Sequence, residues 1–304
     1  MDDRDSTVTM SKPAVRVRQA TPDDRPRILE ISSQIWDGDD YVPSLLDAWV
    51  ADTAGELVVA ELDNTIIAFA HRTWSLPGIA WLEGIRTDPA YQGCGAGKAI
   101  TEYLIASSRA AGATHINLST YIDNEASIHI IESYGFRLVG TFSYLERAGD
   151  LPPPDTRHEE GQIRPLSELE TLAFVTDSAY LALGQRQFSH GWRFLPFDRD
   201  PSGAIAPLAY CLGYWQSNTL KAVLCVRQEP AGVGPCTLNF LDGEPAAMRV
   251  LLNHALRAYA GRALEVMLPT HRGKHAAALS VLQDVGFESW SGFKADVFVY
   301  EMML

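Results

Sequence analysis

The sequence predicts an α+β fold: a mixed, mostly antiparallel sheet flanked by helices, built as two tandem copies. Three observations carry this. Short apolar strands alternate with capped helices through the first half of the 304-residue chain. A glycine-rich turn, Gln92-Gly-Cys-Gly-Ala-Gly97, lies between a strand and a helix. Beyond a proline-rich linker the chain starts again: Ile163-Arg-Pro-Leu166 answers Val15-Arg-Val-Arg18 at a spacing of 148 residues, and Gly286-Phe287 answers Gly135-Phe136 at 151. Duplication is the simple reading of such self-similarity.

Val15 to Gln19 alternates and reads as the first strand. Thr21-Pro-Asp-Asp-Arg25 opens a helix with threonine as N-cap, proline at the first position and acids in the first turn. That helix is expected to run to about Trp36, with Gly38 ending it; a second, short helix runs from Pro43 through Trp49. Leu57 to Glu61 is a strand that turns at Asp63-Asn64 into its partner, Ile66 to Arg72. Ala80 to Ile85 is a fourth strand, stopped by Asp88-Pro89 because proline has no N–H for a ladder bond. After the glycine turn, Ile100, Tyr103, Leu104 and Ala106 mark one face of a helix with Gly112 as its C-cap. His115 to Thr120 is a strand and Asn124 to Ser133 a helix, and Tyr134-Gly-Phe136 leads into a closing hairpin.

Arg147 to Gly161 is the linker, with Pro152 to Pro154 as semi-rigid polyproline II. Beyond it the pattern gives a capped helix from Ser167 to Leu181, strands at Ala222 to Val226 and Cys236 to Leu241, a helix from Pro245 to Tyr259, a strand from Leu264 to Pro269 and a helix from about His275 to Val285. Only Asp-Gly-Glu-Pro separates Leu241 from its helix, so the second copy lacks the glycine-rich turn. The expected division is a disordered tail at 1–13, an active domain at 14–148, a linker at 149–161 and a degenerate copy at 162–304.

Apolar residues make up 46% of the chain, enough for true cores, and no apolar run reaches the length that spans a bilayer. The polar, acidic N-terminus is not a signal peptide, and Met10 is an alternative start. The four cysteines form no close pair, so neither a zinc site nor a disulfide framework is indicated and a reducing cytoplasm fits. A net charge of −13 argues against nucleic acid or an anionic membrane as partner and mildly favours a cationic substrate, although solubility explains it equally well. Monomer and homodimer both stay open.

A glycine-rich turn between strand and helix leaves backbone N–H groups pointing outward at the positive end of the helix dipole, an anion site suited to a pyrophosphate. No Gly-Lys-Ser/Thr closes it, since Ala99 follows Lys98, and G-x-G-x-x-G does not fit. The turn resembles the coenzyme A loop of the GCN5-related N-acetyltransferases (GNAT), Q/R-x-x-G-x-G/A, matched at Gln92, Gly95 and Gly97, with Thr87-Asp88-Pro89 approximating the V-x-P lead-in. Asn124, Ser127, Ile128 and Gly135-Phe136 are similar to the family's second segment. The resemblance implies the acetyl-CoA N-acyltransferase fold with acetyl-CoA as co-substrate. It assigns the pantetheine arm to the backbone of Ile85, Arg86 and Thr87, and the pyrophosphate to Gln92, Gly93, Cys94, Gly95, Ala96, Gly97 and Lys98. It gives Asn124 to the arm or a water near the thiol, and Ser127 to the cofactor as well. The family's acidic tyrosine is Ile131 here, which leaves the general acid unassigned; Tyr134 is a candidate, and a water relay serves as well.

Ile35-Trp-Asp-Gly-Asp-Asp-Tyr-Val-Pro43, Trp49 and Leu82-Glu-Gly-Ile-Arg86 are similar to segments of the vertebrate histidine N-acetyltransferases, a subgroup with a long C-terminal half lacking the loop. That implies an amino acid or similar primary amine as acceptor. Glu83, a carboxylate in an apolar strand, is the expected base; the alternative is a salt bridge to Arg86 or Arg72. Asp40 and Tyr41 are expected to hold the acceptor, with Trp81 beside Glu83 on the strand. The expected function is acetyl transfer to the primary amine of a small molecule, a free amino acid such as histidine among the candidates. A protein N-terminal or lysine acetyltransferase and a non-catalytic acyl-CoA sensor are the alternatives.

Overall fold

The computed structural model describes residues 14–151, 162–227 and 235–304. The expected tail at 1–13 and the polyproline stretch of the linker lie outside the described residues. The chain forms two compact units. One comprises residues up to Trp74, Ala80–Ile116 and Leu304; the other comprises Ser75–Ile79 and Asn117–Met303.

The first unit runs β1 (Arg16–Gln19), α1 (Arg25–Ser32), α2 (Val42–Ala51), β2 (Glu56–Leu62), β3 (Thr65–Leu76), β4 (Ile79–Thr87) and α3 (Ala96–Ala110). β1 pairs antiparallel with β2 (Val17 opposite Ala60), β2 with β3 (Val59 opposite Phe69), and β4 follows β3 in the sheet. Asp63 and Asn64 take φ values of 50° and 62°, the tight turn those side chains tolerate. The core packs Ile28 and Ile31 of α1 and Val42, Leu46 and Trp49 of α2 on Leu57, Val59 and Phe69. Each such buried side chain contributes about 1.5–3 kcal/mol.

Two expectations shift here. A 3₁₀ turn at Pro22–Asp24 precedes α1, pinned by Asp24, which accepts from the Thr21 N–H at 2.7 Å and from Arg18 at 2.7 and 2.9 Å. α1 then stops at Ser32, short of Trp36: Ile35 is already extended at φ −93° and ψ 131°, and Trp36 and Asp37 follow at φ 48° and 56°. On α3 the buried face is Ile100, Thr101, Leu104, Ile105 and Ser108, and Ala106 is exposed.

The second unit takes the end of β5 (His115–Tyr121), then α4 (Glu125–Ser133), β6 (Arg137–Arg147), β7 (Gln162–Pro165), α5 (Glu168–Thr176), α6 (Ala179–Leu183), β8 (Gln187–His190), β9 (Arg193–Pro196), α7 (Pro201–Ile205) and β10 (Tyr210–Gln216). There follow β11 (Thr219–Arg227), β12 (Cys236–Gly243), α8 (Pro245–Ala258), β13 (Leu264–His271), β14 (Lys274–His275), α9 (Ala278–Asp284), β15 (Glu288–Ser289) and β16 (Val297–Met303). Its main sheet has the order β16-β6-β13-β12-β11-β10-β7. In it β12 and β13 run parallel, joined by α8 as crossover helix, while β16-β6, β6-β13, β12-β11, β11-β10 and β10-β7 are antiparallel.

Among the described residues the closing hairpin expected after Phe136 does not form. β6 lies instead between β13 (Leu145 opposite Val266) and β16 (Phe142 opposite Val297), both from the C-terminal half. An alternating strand fixes which face is buried but not which strand it pairs with. This pairing also separates the two ways of dividing the chain: the linker falls after β6, the division between compact units within β5. The helix expected from Ser167 to Leu181 is two. Ser167 and Glu170 form a capping box on α5, and the Ser178 hydroxyl accepts the Leu181 N–H to start α6. α9 begins at Ala278 because His275 is engaged in β14.

Candidate functional site

The end of β4 is anchored before the glycine loop begins. The buried Asp88 donates its N–H to the Ile67 carbonyl (2.8 Å), and its carboxylate accepts from the Ala90 N–H (2.8 Å) and from Arg27. From Gln92 to Gly95 the chain is exposed. Gly93 and Gly95 take φ values of 80° and 89°, which L side chains rarely adopt, and a Cβ built on either meets no atom within 4 Å. The loop therefore opens on free space. α3 starts at Ala96, so the N–H groups of Ala96, Gly97 and Lys98 have no partner within the helix and face outward at its positive end.

One strand back, β3 and β4 bring two polar side chains together in an apolar setting. His71 on β3 is 1% exposed, and its Nδ1 lies 3.0 Å from Oε1 of Glu83 on β4. Its Nε2 faces Oδ2 of Asp52 at 3.4 Å. The imidazole stacks on Trp49 of α2, centroids 4.8 Å apart and planes within 14°. Gly84 makes room for that indole: its φ is +63°, and a Cβ there would lie 2.3 Å from Trp49 Cη2. The two arginines considered as partners for Glu83 are engaged elsewhere, Arg86 with Asp40 and Arg72 with Glu56 at 3.5 Å.

Asp40 and Tyr41 follow the short turn after α1. The Asp40 side chain is 0% exposed. It accepts from Arg86 Nη2 and Nε at 3.0 and 3.2 Å and from the Ser32 hydroxyl at 2.7 Å. An acceptor ammonium cannot reach it, which corrects the sequence expectation: the carboxylate already has its cation. The Arg86 guanidinium also lies over the rings of Trp36 (4.5 Å) and Tyr41 (5.1 Å). Trp36 is 62% exposed and Tyr41 44%. Tyr41 lies within electrostatic reach of Glu83, Asp40 and Arg86. Trp81 does not serve as an acceptor wall, since it is 2% exposed between buried Ala80 and Leu82. Where consecutive strand residues are all buried, alternation does not tell which face a site occupies.

Residues 24–136 match the model of the acetyltransferase (GNAT) family. This stretch is thus similar to GNAT acetyltransferase domains. The cofactor of that family is acetyl-CoA, and the open, positive-φ glycine loop at the start of α3 fits its pyrophosphate. The N-α-acetyltransferase RimI of Mycobacterium tuberculosis is 28% identical over 137 residues, covering 44% of this chain and 85% of that protein. An uncharacterized protein of Mycobacterium leprae is 29% identical over 137 residues, covering 44% of this chain and 37% of its own, well under two thirds of its length. Across nearly the whole chain the fold is that of a GCN5-related N-acetyltransferase from Sphaerobacter thermophilus, with a TM-score of 0.64 over 95% of each chain at 14% identity. A GCN5-related glucosamine N-acetyltransferase region of a fungal multi-domain β-N-acetylglucosaminidase gives 0.61 over 96% of this chain and 38% of that one, at 13% identity.

The remaining positions expected from the GNAT pattern lie in the second unit. Asn124 is the exposed N-cap of α4 and donates from Nδ2 to the Thr120 hydroxyl at 3.2 Å. Ser127 is half-buried one turn on. Ile131, at the tyrosine position, is 1% exposed, and Tyr134 is the half-buried C-cap of the same helix. His129 is exposed.

Sequence reasoning missed His71 and Asp52. The signal was present: His71 is the one polar residue in Ile66-Ile-Ala-Phe-Ala-His71, an apolar strand segment where a titratable ring needs partners.

Proposed function

We propose that this protein transfers the acetyl group of acetyl-CoA to a primary amine of a small molecule. The observation that carries the reading is the open glycine loop at the N-terminus of α3, entered directly from the strand that holds Glu83. The N–H groups from Gln92 to Lys98 would hold the pyrophosphate, and the backbone of Ile85, Arg86 and Thr87 the pantetheine arm. When bound, the cofactor supplies an activated acetyl thioester. Glu83, whose Oε1 lies 3.0 Å from His71 Nδ1, takes a proton from the attacking amine. General-base assistance of this kind is worth about 10²–10⁴-fold. Arg86 fixes the turn that carries Tyr41, whose exposed ring borders the acceptor.

A free amino acid such as histidine is the acceptor class the sequence favours. It is supported by the way the residues behind that resemblance assemble: Asp40 pairs with Arg86, Trp49 stacks on the histidine that binds Glu83, and Gly84 clears the indole. The net charge of −13 suits a cationic amine. Similarity to RimI favours a second reading, a peptide α-amine. The C-terminal half is read as a degenerate copy; the direct step from β12 through Glu244 into α8, with no glycine loop, supports this.

Thermal unfolding of wild type and Gly95→Glu with and without acetyl-CoA tests the cofactor site, because a ligand that binds only the folded state raises the midpoint. A rise confined to wild type is expected. Acetylation of an amine panel led by histidine, run beside peptides with free N-termini, then separates the two acceptor readings. No shift at saturating acetyl-CoA would overturn the enzyme reading.

A further inference from the structure

In the second unit, Glu146 of β6 lies directly opposite Glu265 of β13 on one side and Glu288 of β15 on the other. Directly opposed side chains share a face, and like charges so placed destabilise a sheet. Aromatic rings surround these carboxylates. Tyr144, two residues back on β6, packs on Trp192 with centroids 5.5 Å apart and on Trp290 at 4.7 Å, and Tyr121 of β5 lies 6.1 Å from Trp290. We propose that this cluster, which lies wholly in the second unit, binds an organic primary ammonium ion that carries an amide-like group at its other end. The site stands apart from the acetyl-CoA reading of the glycine loop.

The donors that meet Glu146 are neutral. Trp290 Nε1 donates to its Oε1 at 2.8 Å, and the Tyr144 hydroxyl lies 3.4 Å from its Oε2. Burial, with Glu265 and Glu146 adding to it, pushes that phenol up, so it stays protonated. Glu265 is buried and accepts from the Thr237 hydroxyl at 2.7 Å, which leaves the exposed Glu146 and Glu288 to face a ligand. An ammonium brings three donors and the positive charge that opposed carboxylates call for. A metal ion does not fit: among the described residues no group of three or more His, Cys, Asp or Glu is arranged to hold one. The indoles suit a cation as well, since an indole face is the best aromatic partner for one. Trp192 and Trp290 are exposed yet fixed, Trp290 by its bond to Glu146 and Trp192 by the Ser119 hydroxyl, which donates to its carbonyl at 2.6 Å.

Asn117 points to a ligand independently. It is fully buried on β5, and neither its Oδ1 nor its Nδ2 has a hydrogen-bond partner among the described residues. A buried carboxamide left in that state is costly. Alternation puts Asn117 on the same face of β5 as Ser119 and Tyr121, the residues that touch Trp192 and Trp290. The unpaired amide therefore faces the side of the sheet that the indoles occupy, and a carboxamide on the ligand would satisfy both its donor and its acceptor. Four residues of strand from Tyr121 to Asn117 span about 13 Å, so a chain of several carbons separates the two ends of the ligand.

The test is a titration of the full chain at neutral pH without acetyl-CoA, read by ¹⁵N NMR of the tryptophan indoles, with the Trp290 signal identified by its loss in Trp290→Phe. The probe is ε-aminocaproamide; the controls are caproamide, which lacks the ammonium, and hexylamine, which lacks the amide. Saturable movement of the Trp290 signal is expected with ε-aminocaproamide, and binding of caproamide about tenfold weaker or worse. Glu146→Gln is expected to weaken ε-aminocaproamide about tenfold, as loss of a charge-assisted bond does. Asn117→Leu is expected to weaken ε-aminocaproamide several-fold and to leave hexylamine unchanged. That variant removes an unpaired buried amide, so it is expected to unfold no earlier than wild type, which separates lost binding from lost folding. No saturable movement, equal affinity for caproamide, or wild-type affinity in Glu146→Gln would overturn the ammonium site. Wild-type affinity for ε-aminocaproamide in Asn117→Leu would overturn the amide contact.

Discussion

Asp40 and Arg86 form a two-point buried salt bridge, Nη2 to Oδ1 at 3.0 Å and Nε to Oδ2 at 3.2 Å, with the carboxylate wholly enclosed and the guanidinium side chain 12% exposed. It ties the turn after α1 to β4. The turn needs that tie, because Trp36 and Asp37 both sit in the left-handed region, at roughly 1–3 kcal/mol each. Removing one partner leaves the other charge buried and uncompensated. Arg86→Ala is therefore expected to cost about 3–5 kcal/mol in denaturant unfolding. Arg86→Lys keeps charge but loses the fork, and is expected to fall between. A cost under about 1 kcal/mol for Arg86→Ala would show that the turn holds without the bridge.

Gly84 and Gly95 both have positive φ, yet they answer to different demands. A Cβ on Gly84 runs into Trp49 at 2.3 Å, while one on Gly95 meets nothing within 4 Å. Gly84→Ala is expected to combine overpacking with left-handed strain and to destabilise by about 3 kcal/mol. Gly95→Ala carries only the strain, about 1 kcal/mol. Its effect appears with ligand: wild type gains roughly 2.7 kcal/mol at a hundredfold excess of acetyl-CoA over Kd, and Gly95→Ala is expected to gain clearly less. Equal ligand stabilisation of the two proteins would place the cofactor elsewhere.

The backbone of this site was legible in sequence, and its side-chain partnerships were not. Glycine, proline and capping residues act locally, so the loop from Gln92 to Gly97, the turn at Asp63-Asn64 and the cap at Ser167 could be read in place. Asp40 looked like a ligand for an ammonium because its partner lies 46 residues on, across a strand; nothing local marks Arg86 as that partner. His71 and Asp52 escaped for the same reason. β6 is the largest case: its pattern announces a strand, but its two neighbours, β13 and β16, begin more than a hundred residues later.

Cys94 sits exposed between Gly93 and Gly95, whereas Cys225 and Cys236 are buried and Cys211 is partly so. A thiol in the mouth of an anion loop reports its occupancy. Brief treatment with N-ethylmaleimide is expected to label Cys94 first, and saturating acetyl-CoA to slow that labelling at least tenfold, read by mass spectrometry of the peptide. Cys94→Ser should remove the fast phase. Unchanged labelling with acetyl-CoA present would mean that the cofactor does not cover this loop.

His190 sets a separate pH limit on the second unit. Burial is the main cause that lowers it to about 4, with Arg227 and Arg193 adding to the effect and a 2.7 Å hydrogen bond from Nε2 to the Ala204 carbonyl opposing it. In the unfolded chain the group titrates near 6.5. Between those values the unfolded state binds the extra proton and the folded state does not, so stability rises with pH. The contribution is complete above pH 6.5 and is lost as pH falls toward 4, about 3 kcal/mol in all. His190→Gln removes the titrating group. Its unfolding free energy is expected to be flatter than that of wild type between pH 6.5 and 4, whatever the offset between the two proteins. Parallel curves over that interval would show that His190 takes up its proton without opening the fold.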